Sequence, residues 1–122
     1  MKPQHATLLA CLFSAYSFVA TAKPTPLKGA VNSPAPGVIC DKKAGFCSDD
    51  YGIAAGVTKM YLGDKAEAKL IEIINSAGPG NFDTTTFTLT NGVHCDTNAK
   101  KCTTSKFEDK IDAAHTKALF GK

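Results

Sequence analysis

The residues with the most chemistry to offer are four cysteines in two matched pairs. Gly37-Val38-Ile39-Cys40-Asp41 is followed by Cys47, and Gly92-Val93-His94-Cys95-Asp96 by Cys102, so G-V-x-C-D-x5-C occurs twice with one spacing. A cysteine pair can be a redox centre, a metal clamp or a staple. Thiol oxidoreductases use C-x-x-C, with nucleophile and resolving thiol on one helical turn and a lowered pKa. Structural zinc sites space their ligand pairs by about two to four residues. C-x6-C fits neither pattern, and a disulfide is the expected state in an oxidising compartment. Four cysteines allow three connectivities. The repeat favours Cys40–Cys47 and Cys95–Cys102, because each pair brackets a turn-rich stretch and can face across a hairpin. Chain entropy does not decide: a short loop contributes roughly 2.5 kcal/mol and a long-range bridge roughly 4.

Other residues carry weaker chemistry. His94 and His115, with Met60 as a soft third ligand, form the alternative centre, a copper- or zinc-binding site. The plainer reading sets His94 between Val93 and Cys95 as an exposed or half-buried side chain, with His115 beside the stripe of a solvated helix; no metal or cofactor is expected. Asp49-Asp50 and Asp109 with Asp112 are the acidic clusters, and each falls at a predicted helix start, where carboxylates cap and stabilise the macrodipole. No nucleophile stands with a base, so no enzyme is expected. All 14 basic residues are lysine. This small excess of positive charge, without arginine's bidentate fork, excludes a nucleic-acid footprint. Lys42-Lys43 and Lys100-Lys101 place a lysine pair in each hairpin loop, beside Asp41 and Asp96. Those four lysines are the candidate edge for an anionic partner, against the plain alternative of loop solubility.

The elements that position these groups begin after a leader. Lys2, an apolar run from Leu8 to Val19 and Ala20-Thr21-Ala22 have the layout of a secretory signal peptide over residues 1–22, giving a chain that starts at Lys23. Leu8-Leu9-Ala10-Cys11 also matches a lipoprotein cleavage site, but cutting there strands Leu12 to Val19 as an unexplained apolar tail. Cys11 is therefore expected to leave with the leader. No later run is long enough to span a bilayer. Residues 23–36 hold four prolines and read as an extended, mobile lead-in. A single domain is expected over residues 37–122.

Within it, Val38–Cys40 and Phe46–Ser48 flank a turn and predict a hairpin. Ser48, Asp49 and Asp50 offer N-caps for a helix carrying Ile53, Val57, Met60 and Tyr61, stopped at Gly63. Asp64 and Glu67 form a capping-box pattern for a second helix with Ala66, Leu70, Ile73, Ile74 and Ala77 on one face, ended by Gly78-Pro79-Gly80. The period then changes to two, with Phe87 and Leu89 alternating with threonines. Asn91-Gly92 marks a tight turn or bend, Lys101–Thr104 the next strand. Ser105 with Glu108 suggests a capped terminal helix carrying Phe107, Ile111, Ala114 and Ala118. The order ββ-αα-βββ-α predicts an α+β fold, a small disulfide-stapled domain in which two C-x6-C hairpins flank a two-helix segment beside a small antiparallel sheet.

The paired cysteine motifs, with F-x-L-T-N-G-V-H-C-D leading into the second and Thr116-Lys117-Ala118-Leu119-Phe120 near the end, resemble the Fels prophage protein-like family of small exported bacterial proteins. The resemblance covers Gly37 to Phe120. It implies a periplasmic or secreted protein of the bacterial envelope and supplies no catalytic residues. The expected function is a non-enzymatic periplasmic domain that binds another envelope protein or an anionic polymer. The metal-binding reading is the alternative.

Overall fold

The computed structural model describes residues 23–122. The expected leader, its cleavage after Ala22 and the fate of Cys11 lie outside the described residues. The chain forms a five-stranded antiparallel sheet from β1 (Thr25–Pro26), β2 (Val31–Ser33), β3 (Ile39–Asp41), β4 (Phe46–Asp49) and β5 (Gly52–Ile53), in that order. Helices α1 (Ala55–Leu62) and α2 (Asp64–Ala77) follow. A three-stranded sheet of β6 (Thr86–Thr88), β7 (His94–Asp96) and β8 (Lys101–Thr103) precedes α3 (Ala113–Phe120). The expected α+β class therefore holds, with two small antiparallel sheets in place of one.

The cysteine repeat is the visible part of a larger structural one. In each half a strand pairs antiparallel with the first cysteine strand, β2 with β3 and β6 with β7. The residue after each Asp bonds back to the preceding strand, Lys42 N–H to Ala30 O at 3.0 Å and Thr97 N–H to Thr85 O at 2.9 Å. After the second cysteine, Ser48 pairs with Ile53 and Thr103 with Ile111. Ala54 N–H then bonds Cys47 O at 3.0 Å, and Asp112 N–H bonds Cys102 O at 2.9 Å. An eight-residue helix follows in both halves, AGVTKMYL in α1 and AAHTKALF in α3. A glycine closes each: Gly63 N–H reaches Lys59 O at 3.0 Å and Gly121 N–H reaches Lys117 O at 2.8 Å. Helix α2 belongs to the first half alone.

The two halves share one core. Val31 and Ile39 from the first sheet pack with Phe87, Cys95 and Cys102 from the second, with Leu89 and Val93 of the β6–β7 connection and with Leu119 of α3. Phe46 meets Phe87 edge to face with ring centroids 5.6 Å apart, an arrangement that adds about 0.5–1.5 kcal/mol beyond area burial. Backbone joins them too, since Ile53 N–H donates to Thr84 O at 2.8 Å. Gly52, at φ +135°, lies so close to Thr84 that any side chain would meet its carbonyl oxygen.

Several boundaries differ from those predicted, each for a local reason. The Pro-rich segment is extended but is part of the sheet: Val31 is buried in the core and pairs with Asp41, so the folded unit begins well before Gly37. Asp49 does not cap a helix. Its Oδ1 accepts Tyr51 N–H at 2.8 Å and Gly52 N–H at 3.2 Å, closing a β4–β5 turn and delaying α1 to Ala55. Helix α2 starts at Asp64 from a Gly63 cap that no side chain bonds, so Asp64 and Glu67 act on the macrodipole and form no capping box. Ser105 and Glu108 organise a loop, in which Phe107 is 87% exposed. Asp112 caps α3 instead, accepting His115 N–H at 3.0 Å. Asn91-Gly92 turns the chain back, pairing Thr88 with His94. Among the described residues no helix is long and apolar enough to cross a membrane.

Candidate functional site

The chemistry of the cysteines is settled by where the strands put them. Cys40 faces Cys47 and Cys95 faces Cys102 in register, Cα atoms 4.0 Å apart in both, and each pair forms the expected local disulfide. All four are buried. Above each bridge sits a helix threonine. Thr58 Oγ1 accepts Cys47 N–H at 2.8 Å, and Thr116 Oγ1 accepts Cys102 N–H at 3.0 Å while its hydroxyl faces Cys102 O at 3.1 Å. These bridges are enclosed by helix and sheet, an environment for staples and not for exchange with an outside thiol.

The loops closed by the bridges share an aspartate turn. Asp41 Oδ1 accepts from Lys43 N–H and Ala44 N–H, as Asp96 Oδ1 does from Asn98 N–H and Ala99 N–H. The lysine pairs, however, are not equivalent. Lys42 and Lys43 follow the aspartate and point outward, whereas the same positions of the second loop hold Thr97 and Asn98. Lys100 takes the place of Gly45, and both adopt left-handed backbone, φ +57° and +87°. Its Nζ donates to Asp50 O at 2.9 Å and lies over the rings of Tyr51 and Phe120, 5.2 and 5.7 Å from their centres. Lys101 pairs with Asp109 at 3.0 Å.

The hairpins also run head to tail. The first loop meets the β6–β7 turn through Asp41 and Thr90, while the second meets the β4–β5 turn through Thr97 and Lys100. The expected single edge of Lys42, Lys43, Lys100 and Lys101 is therefore not formed. The reason is topological: each disulfide loop is tied to the turn at the far end of the other hairpin, so the two loops lie at opposite ends of the strands.

The histidines are placed on separate elements from Met60. His115 is not on a solvated face: it is 2% exposed. Its Nδ1 lies 2.8 Å from Asp112 Oδ1 and its Nε2 3.0 Å from Asn91 Nδ2. Asn91 is oriented by Val93 N–H at its Oδ1 and Lys28 O at its Nδ2, so Nε2 accepts and Nδ1 carries the proton. Both ring nitrogens are thus committed. His94 Nδ1 bonds Thr88 Oγ1 at 2.9 Å on the second sheet, and Met60 is exposed on α1. Among the described residues no group of three or more His, Cys, Asp or Glu is placed to hold a metal.

Among the described residues two open grooves exceed about 500 Å³. One, of about 600 Å³, lies between the β1–β2 segment and α3, with Leu27, Pro36 and Ala118 on its walls and Lys23 and Lys117 among its lining residues. The other, of about 550 Å³, runs between the β3–β4 loop and α2. Its apolar surface comes from Phe46, Ile53, Leu70, Ile73 and Phe82. Lys43 stands on the loop side, Lys65 and Lys69 on the helix side, and among the described residues no carboxylate lines it. Positions 65, 69 and 73, with 66 and 70, fall on one face of α2 by their four-residue spacing. Sequence reasoning placed Ala66, Leu70, Ile73, Ile74 and Ala77 on one face of this helix and did not include its lysines. The signal that it opens to solvent is the lysine at every fourth position beside the apolar residues.

A family model described as YcgJ protein matches residues 31–120, from β2 through α3. The chain is 34% identical over 99 residues, 75% of each chain, to the uncharacterized protein YcgJ of Escherichia coli (strain K12). No solved structure matches it.

Proposed function

We propose, from the premise that this chain belongs to the YcgJ protein family, that it is a non-enzymatic exported domain that binds another envelope protein or an anionic envelope polymer. The observation that carries this reading is the groove between the β3–β4 loop and α2, which combines an apolar floor with three lysines and no carboxylate. Two buried local disulfides support export to an oxidising compartment, where such staples form and persist. They also support binding, because a loop already closed by a bridge loses less entropy when a partner orders it.

Two measurements test the reading. Mass spectrometry of the protein recovered from the periplasm should find Lys23 at its amino terminus and no lipid; retention in the cytoplasm with residues 1–22 attached would refute export. The oxidised protein, immobilised and exposed to envelope extract, should retain a protein or polymer that salt elutes. A surface that retains nothing above an unrelated disulfide domain of equal charge would refute binding.

A further inference from the structure

We propose that the groove between the β3–β4 loop and α2 is a docking site for an extended acidic segment of a partner protein, one in which apolar side chains alternate with carboxylates. This rests on the reading of the chain as a binding domain and names the chemistry of its partner.

The charge of the groove has one sign on both walls. Lys43 projects from the loop, and Lys65 and Lys69 face it from α2. Asp64, Glu67 and Glu72 of the same helix are absent from its lining. The lysines are exposed and enter none of the protein's ion pairs among the described residues. Between them the floor is apolar, with Leu70 buried and Ile73 44% exposed.

An occupant must satisfy walls and floor together. An anionic polymer without apolar groups would pair with the lysines and leave Ile73 and the accessible part of Phe82 uncovered. A fatty acid has one charged end and would need its cations gathered there, whereas these stand on opposite walls. In an extended peptide successive side chains point to opposite sides. Apolar residues at alternate positions enter the floor, and the carboxylates between them lie outward within reach of lysines on either wall. The helical wall from Lys65 to Ile73 is about 12 Å long, the span of roughly four extended residues. Both walls are preorganised: the Cys40–Cys47 bridge and Asp41 hold the loop, and α2 is regular throughout.

Fluorescence polarisation with labelled decapeptides tests this on the oxidised protein. The probe alternates glutamate with leucine; one control gathers the same residues into two blocks, and another replaces glutamate by lysine. The alternating acidic peptide should bind, and more tightly at low salt. A Lys43→Glu, Lys65→Glu, Lys69→Glu variant should bind it roughly tenfold more weakly or worse, as three partly screened charges imply. Changing Lys106, Lys110 and Lys122 to glutamate applies the same charge away from the groove and should leave binding intact. Ile73→Asn tests the floor without touching a charge and should also weaken binding. Absence of binding, equal binding by the block peptide, or no effect of either groove variant would overturn the proposal. So would dodecanoate binding with the same lysine dependence while the peptide fails. Capture from envelope extract separates the two levels. A triple variant that retains the same partner removes the groove from the account and leaves the binding reading standing, whereas wild-type protein that retains nothing removes both.

Discussion

Asp41 accepts both the backbone N–H of Thr90, at 2.7 Å, and its hydroxyl, at 2.8 Å, across 49 positions of sequence. With the N–H groups of Lys43 and Ala44 also aimed at it, this fully buried carboxylate is satisfied without any cation. One side chain therefore shapes the first disulfide loop and fastens it to the turn that begins the second. Burying a carboxylate is costly unless hydrogen bonds replace its water, and donors to a charged acceptor are the strong ones. Asp96, its counterpart in the repeat, bonds only within its own loop and keeps partial contact with solvent.

That difference predicts unequal effects from one substitution. Asp41→Asn turns an amide donor toward groups that are themselves donors and should destabilise by about 2–3 kcal/mol. Asp96→Asn should cost less than about 1 kcal/mol, because this half-buried side chain bonds only its own loop and water can replace part of what it loses. Urea unfolding of the two variants measures both. Equal losses would show that the link to Thr90 adds nothing.

The bridges should behave as independent staples. Non-reducing digestion between Cys47 and Cys95 should release two fragments that separate without reductant. Replacing Cys40 and Cys47 by serine, or Cys95 and Cys102, should each lower stability by about 2–3 kcal/mol in the loop-closure view. A fragment pair joined across the halves would contradict the pairing.

Thr58 and Thr116 should be interchangeable in importance. Each takes the N–H of a buried cysteine, and valine keeps the shape while removing that acceptor. Thr58→Val and Thr116→Val should each destabilise by about 1–3 kcal/mol, the desolvation penalty of a stranded donor. Thermal unfolding should show similar drops; a neutral result in either would mean that the threonine only fills space.

Acid should weaken the tie between α3 and the amino-terminal strands. Burial by itself raises the Asp112 pKa and is the largest single influence. It is outweighed by the His115 backbone and imidazole hydrogen bonds together with the electrostatic pull of His115 and Lys28, leaving the carboxyl below its usual 3.8. Asp83 is lowered as well, by the Thr85 hydroxyl first and then by backbone N–H and Thr86. A depressed folded pKa means that the folded state binds fewer protons, so the stabilisation is complete above 3.8 and fades as pH falls through the folded value. Asp112→Asn should flatten the acid limb of stability against pH, with the Asp83 contribution remaining. An unchanged limb would remove Asp112 as its source.

The amino-acid order by itself determined the elements whose signals are local. The cysteine repeat favoured the two local bridges among three connectivities, because six intervening residues with turn formers can bring a hairpin's arms into register, and the structure forms those two. The 3.6-residue apolar spacing marked α2, and the two-residue alternation around Phe87 and Leu89 marked β6, because each period follows from one backbone geometry. The end of the first hairpin was ambiguous, since Asp49 can cap a helix or close a turn with the same oxygen. In the structure Ser48 pairs with Ile53 across the turn, and the long-range bond from Ile53 N–H to Thr84 O holds that turn against the other half.

The rest waited on tertiary structure. The Pro-rich segment reads as a tail because Val31 is a single apolar residue among turn formers, and its place in the core depends on strands that come later in the chain. The deeper repeat was hidden by a longer loop before Ile111, which puts Thr116 14 residues after Cys102 where Thr58 follows Cys47 by 11. Four lysines looked alike on paper. In the fold the hairpins run head to tail, Lys100 lies against Asp50, Tyr51 and Phe120, and Lys43 lines one groove with Lys65 and Lys69. A side chain's partners across the fold are set by how apolar faces meet, and spacing within a loop does not encode that.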